Sequence, residues 1–94
     1  MADENKPGDD IPESLTLELR KPVEVAGERV CVLELREPTV DELERFLKEV
    51  NRGGEVAGLK LLMSGICGVT VAHIGAMGAR DFKRAEKYLS NFFG

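Results

Sequence analysis

From Leu15 to Leu35 the large apolar residues fall almost entirely on odd positions. Leu15, Leu17, Leu19, Val23, Val25, Cys31, Leu33 and Leu35 share one parity, while Thr16, Glu18, Arg20, Glu24, Glu34 and Arg36 hold the other. Period-two alternation predicts two strands, each burying one face, so residues 15–36 read as an antiparallel β-hairpin. Opposed residues in such a pair share a face, so odd positions should meet odd positions. That requirement favours a three-residue turn, Ala26-Gly27-Glu28, which sets Val25 opposite Arg29, Val23 opposite Cys31 and Leu19 opposite Leu35. Pro22 lacks an N–H and predicts an edge at that point of the first strand. Val30 and Val32 are apolar on the outward parity. Either β-branched strand propensity explains them, or a partner covers a second face.

After the hairpin the period changes to that of a helix. Thr39 and Glu42 form a capping box, Asp41 and Glu42 suit the first turn, and Val40, Leu43, Phe46, Leu47 and Val50 make one stripe. These features predict a helix over about 39–51, stopped by Asn51-Arg52-Gly53-Gly54. A second helix, about 55–67, carries Val56, Leu59, Leu62, Met63 and Ile66 on its stripe and is apolar nearly all round. It should therefore be the central helix or face a partner. Thr70 can cap a short turn from Val71 to Ile74, and a last helix is expected over about 79–93. Its stripe is Phe82, Ala85, Leu89 and Phe92, with Gly78 as N-cap and Asp81 at the third position. The fold class is α+β: an N-terminal antiparallel hairpin, then a small bundle of three helices with a short extra turn before the last. Residues 15–94 form a single domain and residues 1–14 a disordered acidic tail.

Charge placement narrows the function classes. The chain of 94 residues has a formal net charge of −4. Residues 1–13 hold five acids against one lysine, and the remaining twelve acids balance twelve bases. A neutral body with an acidic tail is poorly suited to nucleic acid, because phosphate contacts need a basic surface. No apolar run approaches the roughly 20 residues a membrane span needs. Met1 to Ser14 has neither the basic start nor the apolar stretch of a signal peptide, so the expected location is cytoplasmic.

The search for chemistry finds little. His73 is the lone histidine, and Cys31, Cys67 and Asp81 do not complete a metal or catalytic pattern with it, so it is expected at the surface or partly packed near a turn. The two cysteines read as small buried hydrophobes of a reducing compartment. Gly65-Ile66-Cys67-Gly68 and Gly75-Ala76-Met77-Gly78 match the GxxG spacing of phosphate-clamping loops, but residues 61–79 contain no Lys or Arg to support it. No catalytic residue, metal ligand or cofactor is assigned. A protein-binding module is what remains. Surplus apolar surface is expected on the second and last helices, at Leu61, Met63, Tyr88 and Phe93, since Leu61, Leu62 and Met63 are consecutive and cannot share one face.

The order of these features resembles a known family. The strings Leu17-Glu-Leu-Arg-Lys-Pro22, Leu33-Glu-Leu-Arg-Glu-Pro-Thr39 and Asp41-Glu-Leu43 are followed by Gly65-Ile-Cys-Gly68, Asp81-Phe82 and Asn91-Phe-Phe93. Together they are similar to the tail assembly chaperones of contractile-tailed phages of the Mu and P2 kind, over about residues 15–93. Val69-Thr-Val-Ala72 departs from the family's usual proline-containing turn. The resemblance implies a non-enzymatic protein of the host bacterial cytoplasm that binds the tape measure protein, keeps it soluble and promotes tail tube assembly. It also implies absence from the mature virion, and contact with the tail tube protein or a second copy is compatible with it. The alternative is a small adapter or regulator of a host or mobile element that dimerises through its hairpin edge.

Overall fold

A computed structural model describes residues 11–93. The order is β1 (Ser14–Val25), β2 (Glu28–Arg36), α1 (Val40–Gly53), α2 (Glu55–Cys67), α3 (Val71–Ala76), α4 (Ala79–Leu89) and a closing 3-10 turn, Ser90–Phe92. The hairpin is a two-stranded antiparallel sheet. The fold is thus α+β, hairpin first and helices after, with the short α3 as the extra turn.

The hairpin turn is shorter than parity requires. Val25 pairs with Glu28, leaving a two-residue turn in which Ala26 and Gly27 both have positive φ, 52° and 81°. Paired positive φ values match the right-handed twist of the strands, and Gly27 adopts its value at no steric cost. Parity is recovered further along by a bulge. Glu18 pairs with Val32 and Val23 with Val30, so residues 19–22 of β1 face Cys31 alone. Beyond it Leu17 meets Leu33 and Leu15 meets Leu35. The bulge exchanges two expected orientations in β2: Val30 packs against the core, whereas Cys31 is exposed. Cys67 is only half-buried, so neither cysteine is the fully buried hydrophobe expected. Val32 stays outward and is 38% exposed.

The core lies between the inner hairpin face, α2 and α4, with Leu33, Leu35, Leu59, Met63 and Leu89 almost wholly buried. The capping box forms as expected: Thr39 Oγ1 accepts from Glu42 N–H and Glu42 Oε1 accepts from Thr39 N–H at 2.8 Å. α1 meets α2 where Gly58 lets the helices close. A Cβ there would lie 2.6 Å from Val50 Cγ2 and 3.1 Å from the Phe46 carbonyl oxygen. α4 stops at Leu89, short of the span its apolar pattern suggests. Ser90 Oγ and Asn91 Nδ2 donate to the Lys87 and Tyr88 carbonyls, and the chain tightens into the 3-10 turn. The expected disordered tail lies mostly outside the described residues. Of its last residues, Ile11 packs partly against the core and Ser14 already belongs to β1. Among the described residues no helix is long and apolar enough to cross a membrane.

Candidate protein-binding surface

Two polar anchors fix the helices on the hairpin. Asp81 is 1% exposed and sits under the β1 bulge. Its carboxylate accepts from Arg20 N–H at 2.9 Å and Lys21 N–H at 3.3 Å, and Arg84 Nη1 donates to it at 3.1 Å. Arg84 also donates to the Glu18 carbonyl at 3.0 Å. Burial opposes the charge on Asp81, but the backbone N–H groups and the Arg84 guanidinium outweigh it and hold the carboxyl below its usual range. The bulge therefore has a partner: it frees backbone N–H groups that a strand ladder would have used, and Asp81 takes them. These groups on the β1 edge are unavailable for strand addition.

His73 is the second anchor. It is 3% exposed, buried more deeply than the surface or partly packed position expected, and its ring spans α3 and the hairpin tip. Nε2 lies 3.1 Å from the Glu28 carbonyl oxygen and must donate; in the neutral ring Nδ1 then accepts from Thr70 Oγ1 at 2.7 Å. Both nitrogens are spent on structure. At the start of α1, Arg36 and Glu42 form a fork with two 2.8 Å bonds. That guanidinium draws the Glu42 carboxyl down to about 2. Burial pushes the Cys67 thiol up to about 11, which keeps it protonated. Among the described residues no cluster of three or more His, Cys, Asp or Glu side chains could hold a metal ion.

Exposed large apolar residues occur on β2, α1, α2 and α3, and α1 carries two of them on one stripe. That stripe aims off the contact α1 makes. Phe46 and Val50 turn to α2, and Phe46 is the one buried residue of the helix. Leu47 and Val40 stand about 100° and 120° round the axis from Phe46. They are 56% and 81% exposed, where the stripe predicts burial. On the opposite flank of Phe46 a groove of about 150 Å³ runs between α1 and α2, floored by Phe46, Leu61, Leu62 and Gly65, with Glu42 and Arg45 on its rim. A Cβ at Gly65 would touch nothing within 4 Å, so nothing within the fold demands glycine there.

The four residues expected to bind a partner do not come together. Leu61 is 40% exposed and lies in the groove. Phe93 is half-buried, its ring 4.5 Å from that of Phe46. Met63 is fully buried, and Tyr88 is 6% exposed with its hydroxyl donating to the Pro12 carbonyl at 2.6 Å. Met63 and Tyr88 belong to the buried core, with Ile11 packed against it and the Pro12 carbonyl on the Tyr88 hydroxyl. The spacing of Val40 and Leu47 is that of an ordinary core stripe, so the sequence pattern alone does not mark them as exposed.

A family model described as phage tail assembly chaperone proteins, E, or 41 or 14, matches residues 16–94. The chain belongs to this family. Searches of curated proteins and of solved structures returned no match. A tail assembly chaperone works with other phage tail proteins.

Proposed function

We propose that this chaperone binds the tape measure protein, keeps it soluble and promotes tail tube assembly around it. It acts in the host bacterial cytoplasm and is left out of the finished virion. The observation that carries this reading is the uncovered stripe of α1, where Val40 and Leu47 are 81% and 56% exposed, with the Leu61 groove on the other flank of Phe46. A client helix with an apolar stripe would bury Val40 and Leu47 on one flank of α1, and a second client segment laid in the groove on the other flank could approach the α2 backbone closely at Gly65. Leu61 and Phe93 belong to this surface. Met63 and Tyr88 support it from beneath.

The test is co-expression with the tape measure protein followed by affinity capture. Leu47→Glu and Leu61→Glu should each reduce capture by about tenfold or more, the scale of a central interface residue. Circular dichroism should show both variants folded. Undiminished capture by the folded double variant would overturn this surface.

A further inference from the structure

Charge is unevenly spread over the folded body. Residues 56–94 hold five Lys and Arg against two acids, and both acids, Asp81 and Glu86, are engaged by Arg84 and Lys83. Arg20, Lys21 and Arg80 line an open hollow of about 480 Å³ floored by Gly78, Ala79 and Asp81. Asp81 does not neutralise them, since its oxygens are turned onto the bulge N–H groups and Arg84. Among the described residues none of the three side chains has an ion-pair partner. At Ala79 this hollow meets a second one of about 180 Å³ between α2, α3 and α4. Val56, Ile74, Met77 and Phe82 make that one apolar, and half-buried Lys60 stands in its lining, also without an acid.

Unneutralised cations grouped around one hollow add nothing to the stability of the fold and repel one another. A carboxylate brought to them would be stabilised, and an apolar side chain brought to the adjoining hollow would leave water. We propose that this two-part face docks an acidic amphipathic segment of the client. An apolar side chain of that segment enters between Val56, Met77 and Phe82. Its carboxylates reach Lys60, Arg80, Arg20 and Lys21. The client is the one named above, so the assignment of the partner rests on that reading. The apolar half of the face distinguishes this site from a generic polyanion surface, which needs only positive charge.

Fluorescence anisotropy with the full chain tests it. The probe is a labelled 16-residue peptide with a Leu/Phe stripe and Glu elsewhere, beside a version with Lys for Glu and a Glu homopeptide. The acidic amphipathic peptide should bind, more weakly as salt rises, and the Lys version should not. Lys60→Glu and Arg80→Glu together should weaken binding by about tenfold, while Arg80→Lys retains it. Arg80→Glu alone should leave the thermal melt unchanged, because the exposed Arg80 has no ion-pair partner among the described residues, and circular dichroism should show the double variant folded. Equal binding by the Glu homopeptide or by duplex DNA would overturn the proposal, as would indifference to the charge reversals. Binding seen only after residues 1–10 are removed would assign the face to the chain's own acidic run and overturn it too. Capture of the tape measure protein separates the two readings. If Leu47→Glu abolishes capture and the charge reversals do not, the acidic-segment site falls and the chaperone reading stands. If the wild type captures no tape measure protein, that reading falls and the peptide arms still decide the site.

Discussion

α1 and α4 are written in the same way and used differently. Each has a clean apolar stripe, an acid in its first turn and charged residues elsewhere. α4 buries Asp81, Ala85, Tyr88 and Leu89, whereas α1 buries Phe46 alone. The cause is what each helix can reach. α4 lies against the hairpin and is drawn onto it by Asp81 and Arg84. α1 packs on α2, through a contact centred on Phe46, Val50 and Gly58 and turned away from Val40 and Leu47. Amphipathicity says which side of a helix gains by leaving water, not whether the chain supplies something to cover it. A stripe left uncovered in a small domain is a surface available to another protein.

The comparison is broken most severely at Asp81. Asp81→Ala leaves the bulge N–H groups and Arg84 without their acceptor and should cost about 3 kcal/mol, read as a lower urea midpoint. Asp81→Asn keeps an acceptor oxygen but loses the charge and should fall between the two. Loss of α4 protection in hydrogen exchange, with α1 little changed, would confirm that the two helices are held by separate means.

Acid should act on the same anchors. Both Glu42 and Asp81 hold their protons less readily folded than unfolded, so the stability they supply is complete above their unfolded values and is lost as pH falls. For Glu42 the loss spans pH 4.5 down to about 2. Unfolding free energy should therefore be flat near neutrality and decline through that window. Glu42→Gln should remove part of the decline, and a pH series of denaturant melts would show it.

The two glycines of α2 sharpen the contrast between a filled contact and an open one. Gly58→Ala drives a methyl against Val50 and the Phe46 backbone and should destabilise by about 1–2 kcal/mol, overpacking exceeding the gain in helix propensity. Gly65→Ala meets nothing and should stabilise by up to about 1 kcal/mol while weakening client capture. Opposite signs in the melts, with capture weakened by Gly65→Ala and not by Gly58→Ala, would show that space at Gly65 serves a partner. The smallest effect on stability belongs to Leu47→Glu, within about 0.5 kcal/mol, despite its large expected effect on capture.

Local features were legible because their causes are local. The capping box at Thr39 and Glu42, the alternation of the hairpin strands and the short capped turn at Thr70 each follow from residues within a few positions. The turn length was not legible. Parity argues for three residues, but a two-residue turn with a bulge satisfies the same inner face once something accepts the N–H groups the bulge releases. That acceptor is Asp81, 61 positions beyond Arg20. Val30 inside, Cys31 outside and His73 buried against the Glu28 carbonyl follow from the same long-range closure. For the binding surface, Leu61 was legible as the odd member of three consecutive apolar residues, while Met63 and Tyr88 look alike in sequence and are core.

By itself, then, the sequence determined the elements, their order, the family and the location of net charge, since propensity, periodicity, capping and motif order are carried by near neighbours. Only the tertiary structure decided which apolar stripe is spent on the core and which is left exposed. Burial depends on where distant elements meet, and the meeting of α4 with the hairpin is fixed by one buried carboxylate under one bulge.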